Sequence, residues 1–172
     1  MNQIRFGTAF VLAFLVATHL CATAPAARGQ GGATKIVTVT ATASQNAAVG
    51  KPFDVTVSLA IASTYHIQGN ATKEGYVPTV ITLGAIPGLK IVKITYPKAT
   101  EQSIAGDTLP VYEGNVAVKA QMVAAKAGKF RLPITVRYQA CDDRACFPPA
   151  SVTSTALVVV GGKTGASKLS AL

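Results

Sequence analysis

The 172-residue chain contains no Trp, only 6% aromatic residues and only 13% charged ones, with 7 Asp+Glu against 16 Lys+Arg. So few charges argue against a bundle of helices with charged outer faces, and 49% hydrophobic residues exclude disorder along the whole length. No paired-carboxylate site, nucleophile–base pair or phosphate-binding Gly loop stands out, which leaves hydrolase and kinase chemistry without support. What is abundant is Val, Ile, Thr, Ala and Gly, the composition of a β protein, in a length that suits one medium-sized domain.

The formal net charge is +9, but the cations are scattered along the chain with no run of three. A dispersed excess of Lys keeps an exported β protein soluble and protects its strand edges, so no nucleic-acid partner is expected. At the amino terminus, Arg5 precedes an apolar run over residues 6–17, followed by Ala22, Thr23, Ala24, Pro25, Ala26 and Ala27. This is the order of a secretory signal, with cleavage expected after Ala26, so residues 1–26 are expected to be absent from the mature protein. The apolar stretch 6–20 is shorter than the roughly 20 residues of a spanning helix, and no other segment is long and apolar enough. The mature chain is therefore expected to be periplasmic or otherwise exported, without stable membrane insertion. His19 and Leu20 before Cys21 argue against a lipoprotein, so Cys21 is expected to leave with the signal.

Beyond the signal, strict alternation marks strands. Val37, Val39 and Ala41 alternate with Thr38, Thr40 and Thr42, and Phe53, Val55, Val57, Leu59 and Ile61 alternate with polar or small residues. Apolar runs over 80–83 and 89–94 flank Pro87–Gly88, a strong turn signal, and read as a hairpin. Val116, Val118, Ala120 and Met122 form one face of a strand. After Gly128, the inward face of the return strand is Phe130, Leu132, Ile134, Val136 and Tyr138, with Pro133 outward as on an edge strand. Residues 152–160 close the domain. About seven strands and no amphipathic helix predict an all-β fold, a single antiparallel immunoglobulin-like β-sandwich over residues 33–160, followed by a flexible tail over 161–172. No internal repeat is visible.

Only Cys141 and Cys146 remain after signal removal, with four residues between them and just beyond the strand that ends near Tyr138. In an exported protein such a pair can form a disulfide. As a staple it is weak, because closing a loop of about six residues stabilises by only about 2 kcal/mol in the chain-entropy account. It also differs from the sheet-to-sheet bridge of antibody domains, which packs on a Trp absent here. Asp142 and Asp143 oppose thiolate formation and outweigh Arg144, so neither thiol is expected to be strongly activated. From the residues alone, a redox-exchanging pair and a structural staple both stay open. A Cu(I) or Zn site using both thiolates and His66 has too few ligands to be favoured. His66 reads as structural, Tyr65, Tyr112 and Tyr138 could flank the disulfide or pack in the core, and Met122 belongs to an apolar face.

The stretch Tyr138-Gln139-Ala140-Cys141, the short spacer and Cys146-Phe147-Pro148-Pro149 resembles the signature of the amino-terminal, immunoglobulin-like domain of DsbD-type thiol:disulfide interchange proteins. Tyr65-His66-Ile67-Gln68-Gly69-Asn70, Val77-Pro78-Thr79 and Val111-Tyr112-Glu113-Gly114 resemble further segments of that family, in the same order. The resemblance covers residues 36–160. It implies thiol–disulfide exchange, with Cys146 forming the mixed disulfide with a partner and Cys141 resolving it, and no metal or organic cofactor. It also implies a thioredoxin-like or DsbD-type membrane electron donor and oxidised exported proteins as targets. The chain as given carries neither the family's transmembrane segment nor its thioredoxin-like domain, so the electrons are expected from a separate protein. The family covers its disulfide with an aromatic residue of a cap loop. Residues 98–109 here offer only Ile104 and Leu109, which predicts a differently built cover. The alternative function is a non-catalytic immunoglobulin-like binding module with a structural disulfide.

Overall fold

A computed structural model describes residues 35–104 and 106–161. The signal segment 1–26 and tail residues 162–172 lie outside the described residues. The described chain is made of strands: β1 (Val37–Ala43), β2 (Pro52–Ile61), β3 (His66–Gln68), β4 (Val80–Leu83), β5 (Leu89–Thr95) and β6 (Thr100–Ile104). They are followed by β7 (Asp107–Tyr112), β8 (Asn115–Ala124), β9 (Gly128–Tyr138), β10 (Ala140–Cys141) and β11 (Ala150–Val160).

These strands form three antiparallel sheets, in the orders β1-β2-β8-β5, β11-β9-β4 and β10-β3-β7-β6. The expected all-β, immunoglobulin-like sandwich is what the chain forms. The long strands follow the alternation that predicts them, with one face of each turned inward. Val55, Val57 and Leu59 of β2, Val118, Ala120 and Met122 of β8, and Leu132, Ile134 and Val136 of β9 are all buried in one hydrophobic core. At about 1.5–3 kcal/mol for each fully buried large aliphatic side chain, this core is the main source of stability.

Two local expectations need correcting. The segments 80–83 and 89–94 are not a hairpin: β4 pairs with β9 while β5 pairs with β8, in different sheets. Gly88, at φ 93°, does turn the chain, but the turn carries it from one sheet to the other. Pro133 lies on a central strand, since β9 has β11 on one side and β4 on the other. It is accommodated because the β4 ladder stops there. Leu83 is the last paired residue of β4, and the Gly84 N–H donates to the Pro133 carbonyl at 2.8 Å, where Pro133 has no N–H to return. A Cβ on Gly84 would stand 2.5 Å from Pro133 Cγ, so this close approach requires glycine.

The third sheet positions the site. Its short strands were not predicted, and successive residues on them face opposite ways. Ile67, Tyr112 and Ala140 sit in the sandwich core, whereas Val111 and Cys141 belong to a separate small cluster with Ile104 and Leu109. One face of β10-β3-β7 thus closes the sandwich, and the other carries the cysteine.

Candidate functional site

The cysteine loop grows out of the hairpin between β9 and β11. Ala150 pairs with Tyr138, and residues 139–149 between them fold back as a smaller hairpin of their own. Its frame is set by two backbone bonds. The Phe147 N–H donates to the Ala140 carbonyl at 2.8 Å, and the Asp142 N–H to the Ala145 carbonyl at 3.0 Å. Between them, Cys141 and Cys146 face each other as an antiparallel pair without mutual hydrogen bonds, the kind whose side chains come closest. Their Cα atoms are 3.9 Å apart and their sulfurs are bonded at 2.00 Å. The spacing of four residues is thus the turn needed to place the two cysteines opposite one another.

The residues around the pair have separable tasks. The Asp142 carboxylate accepts the N–H groups of Arg144 at 2.8 Å and Ala145 at 2.9 Å. These bonds hold its carboxyl below the usual aspartate range, with the Arg144 N–H the larger cause. Its charge therefore shapes the turn as an Asx motif. Tyr138 is buried in the sandwich core, and burial pushes its phenol up. Gln139 joins three segments, because its Oε1 accepts the Val77 N–H at 2.8 Å and its Nε2 donates to the Phe147 carbonyl at 3.2 Å. In this way the sequence Tyr138-Gln139-Ala140-Cys141 anchors, clamps, packs inward and presents the sulfur in turn.

The two sulfurs differ in environment. Cys141 is fully buried with Ile104, Leu109 and Val111, while Cys146 is only partly buried and packs at the margin of that cluster. Ile104 and Leu109 come from the β6–β7 hairpin, as expected of a cover in this region. The aromatic residue comes from elsewhere. Tyr76 packs against the cluster from the loop after β3, and its hydroxyl donates to Asp107 Oδ2 at 2.8 Å. Lys73 Nζ lies 3.4 Å from Asp107 Oδ1. The Tyr76 hydrogen bond, and secondarily Lys73, hold the Asp107 carboxyl below its ordinary value, and the same bond pushes the Tyr76 phenol up. A latch of three side chains thereby ties the loop after β3 to the start of β7.

None of the three tyrosines considered beforehand belongs to the small cluster with Cys141. Tyr65 packs against Phe147 in a tilted arrangement, with centroids 5.9 Å apart and ring planes at 54°. The Tyr112 hydroxyl lies 2.6 Å from Asn70 Oδ1 and 3.0 Å from the Pro97 carbonyl, and Tyr138 is in the main core. His66 is directly across the ladder from Cys141, with Nε2 3.7 Å from Asp143 Oδ1 and Nδ1 buried without a hydrogen-bond partner among the described residues. Among the described residues, no group of three or more His, Cys, Asp or Glu side chains is placed to hold a metal ion.

Sequence reasoning missed Gln68 and Tyr76. Gln68 has no exposed surface, and its Nε2 donates to Cys141 Sγ at 3.4 Å. The only signal available was position, since Gln68 stands in the stretch that resembles the family, two residues after His66.

The sequence profile of the family described as "Thiol:disulfide interchange protein DsbD, N-terminal" matches residues 33–157. No curated protein matches the chain. Among solved structures, the DsbD N-terminal domain of Neisseria meningitidis in its reduced form is similar at 17% identity and a TM-score of 0.46, covering 70% of this chain and 84% of that one. The N-terminal periplasmic domain of ScsB from Proteus mirabilis aligns at 15% identity and a TM-score of 0.47, over 68% of this chain and 44% of that one. A complex between the DsbD N-terminal and PilB N-terminal domains from Neisseria meningitidis aligns at 15% identity and a TM-score of 0.45, over 69% of this chain and 80% of that one.

Proposed function

This chain belongs to the family of DsbD N-terminal domains, and on that premise we propose that it is an exported thiol–disulfide exchange module. In this reading the segment 1–26 directs export, residues 33–160 are the working domain, and the compartment is the periplasm. Electrons pass from a thioredoxin-like or DsbD-type membrane donor to oxidised exported proteins by way of the Cys141–Cys146 pair.

The observation that carries the reading is the asymmetry of the pair, with Cys141 fully buried and Cys146 only partly so. An incoming thiolate must reach a sulfur along the axis of the S–S bond, and the less buried atom is the better target. The donor thiolate attacks Cys146 Sγ, a mixed disulfide forms, and the electron pair of the broken bond leaves on Cys141 Sγ. A second donor thiolate then releases Cys146, so that the donor is oxidised to a disulfide and this protein gains two electrons and, with solvent, two protons. The reduced pair repeats the sequence on its target: Cys146 attacks, and Cys141 resolves the mixed disulfide. Every bond change involves sulfur, so neither a metal nor an organic cofactor has a part to play.

A Cys141→Ser variant should accumulate a mixed disulfide through Cys146 with thioredoxin-like partners, detected by non-reducing electrophoresis and mass spectrometry. Cys146→Ser should accumulate much less. Absence of any adduct with thioredoxin-like donors would overturn the reading. The competing role, a binding module with a structural disulfide, predicts that replacing both cysteines leaves partner binding intact.

A further inference from the structure

Among the described residues, the buried polar side chains are those of Gln68 and Thr79, and both belong to one arrangement beside the disulfide. Thr79 Oγ1 donates to the Gln68 carbonyl, and the Gln68 N–H donates to the Gln139 carbonyl at 3.0 Å. Thr72 Oγ1 donates to Gln68 Oε1 at 2.6 Å, which leaves Nε2 directed at Cys141 Sγ, 3.4 Å away. Main chain and side chain are thus both pinned, and the amide is oriented in advance.

A disulfide sulfur is a weak acceptor, and a buried amide is costly to keep without strong partners. The arrangement makes better physical sense for the state in which Cys141 carries charge. Resting on the exchange reading above, we propose that Gln68 is a catalytic residue of that exchange, whose amide stabilises the Cys141 thiolate as it forms.

The chemistry at that moment is a displacement. The thiolate of a dithiol donor forms a bond to Cys146 Sγ, the Cys141–Cys146 bond breaks, and its electron pair stays on Cys141 Sγ. That sulfur is enclosed by Ile104, Leu109 and Val111, none of which can solvate a charge. Burial alone raises the thiol pKa and makes Cys141 a poor leaving group. The nearby ionised Asp142 acts in the same direction. An amide N–H held in place before reaction opposes both effects without reorganisation, which is how fixed donors serve developing anions elsewhere. In the return direction, the same bond keeps a fraction of Cys141 as thiolate for resolving a mixed disulfide.

The test compares Gln68→Met, which keeps the side chain's length and removes the donor, with Thr72→Val, which removes the group that orients it. Dithiothreitol is the probe for the intact disulfide. We expect its second-order rate to fall about tenfold in Gln68→Met and less in Thr72→Val, the scale of losing a hydrogen bond to a charged group. In a Cys146→Ser background, the ultraviolet absorbance of the lone Cys141 thiolate should titrate at higher pH in both variants. Unchanged rates and an unchanged titration in folded Gln68→Met would overturn the proposal. If that variant does not fold, an unchanged titration in Thr72→Val overturns it equally. A wild-type disulfide inert to dithiothreitol and to thioredoxin-like donors would instead overturn the exchange reading, while the Cys141 titration would still report on Gln68.

Discussion

The sandwich core and the cluster over Cys141 lie on opposite faces of the same short sheet, and they are built on different scales. The first gathers side chains from all three sheets, including Val37, Val57, Leu59, Val118, Leu132 and Val158. The second consists of Ile104, Leu109, Val111 and Cys141, with Tyr76 and Cys146 at its margin. A core of the first kind resists local opening, because any breach exposes many side chains at once. A cover of a few residues, held by one hairpin and one exposed latch, opens at far smaller cost. The comparison teaches that stability and access to the disulfide are assigned to separate sets of residues, so each can be changed while the other is watched.

The largest expected effect is on the stability side. Leu132→Ala empties a site with no exposed surface in the main core and should cost about 2–5 kcal/mol in equilibrium denaturation. The rate at which a phosphine reduces the disulfide, measured while the variant is still folded, should stay near that of the wild type. Next in size, reducing the Cys141–Cys146 bond should lower the unfolding free energy by about 2 kcal/mol at most, because the closed loop is short. A much larger loss would make the bond a staple and erase the division of labour.

Leu109→Ala is expected to do the reverse of Leu132→Ala. It should raise the phosphine reduction rate about tenfold through local opening, with a smaller loss of global stability than Leu132→Ala. Equal losses in the two variants would show one cooperative core. The smallest effects belong to the latch. Tyr76→Phe and Asp107→Asn should each speed reduction about two- to threefold, the scale of an exposed interaction. The latch also has a defined pH dependence. Its carboxyl is held below its ordinary value of 3.8 by Tyr76 first and Lys73 second, so the support is fully present above that value. It is lost as pH falls through the lowered pKa, and acid should therefore bring the wild-type reduction rate toward that of Asp107→Asn.

Much of the large core was legible in the sequence, because β1, β2, β8, β9 and β11 are long enough for a period of two to show. The inward residues of β1, β2, β8 and β9 were identified one by one, whereas β11 was placed only as a span. The pairing of β4 and β5 was not legible, since Pro87–Gly88 reports that the chain turns and says nothing of which sheet receives it. Strands β3 and β10 hold three and two residues, too few for a period, and exist because neighbouring strands hold them. The cysteine pair was visible from spacing and from its resemblance to the family. Gln68 and Tyr76 were not, because what matters about each is a partner 73 or 31 residues away, brought near by strand register alone.

The alternation along β3 limits what mutation can do to chain length there. Ile67 and Gln68 both have no exposed surface yet face opposite sides of their sheet. Inserting or deleting a single residue before them would send the amide into the oily interior and the isoleucine toward the sulfur, damaging anchor and chemistry in one event. Among descendants of this gene, the three positions of β3 should accordingly change only by replacement, with no gain or loss of residues.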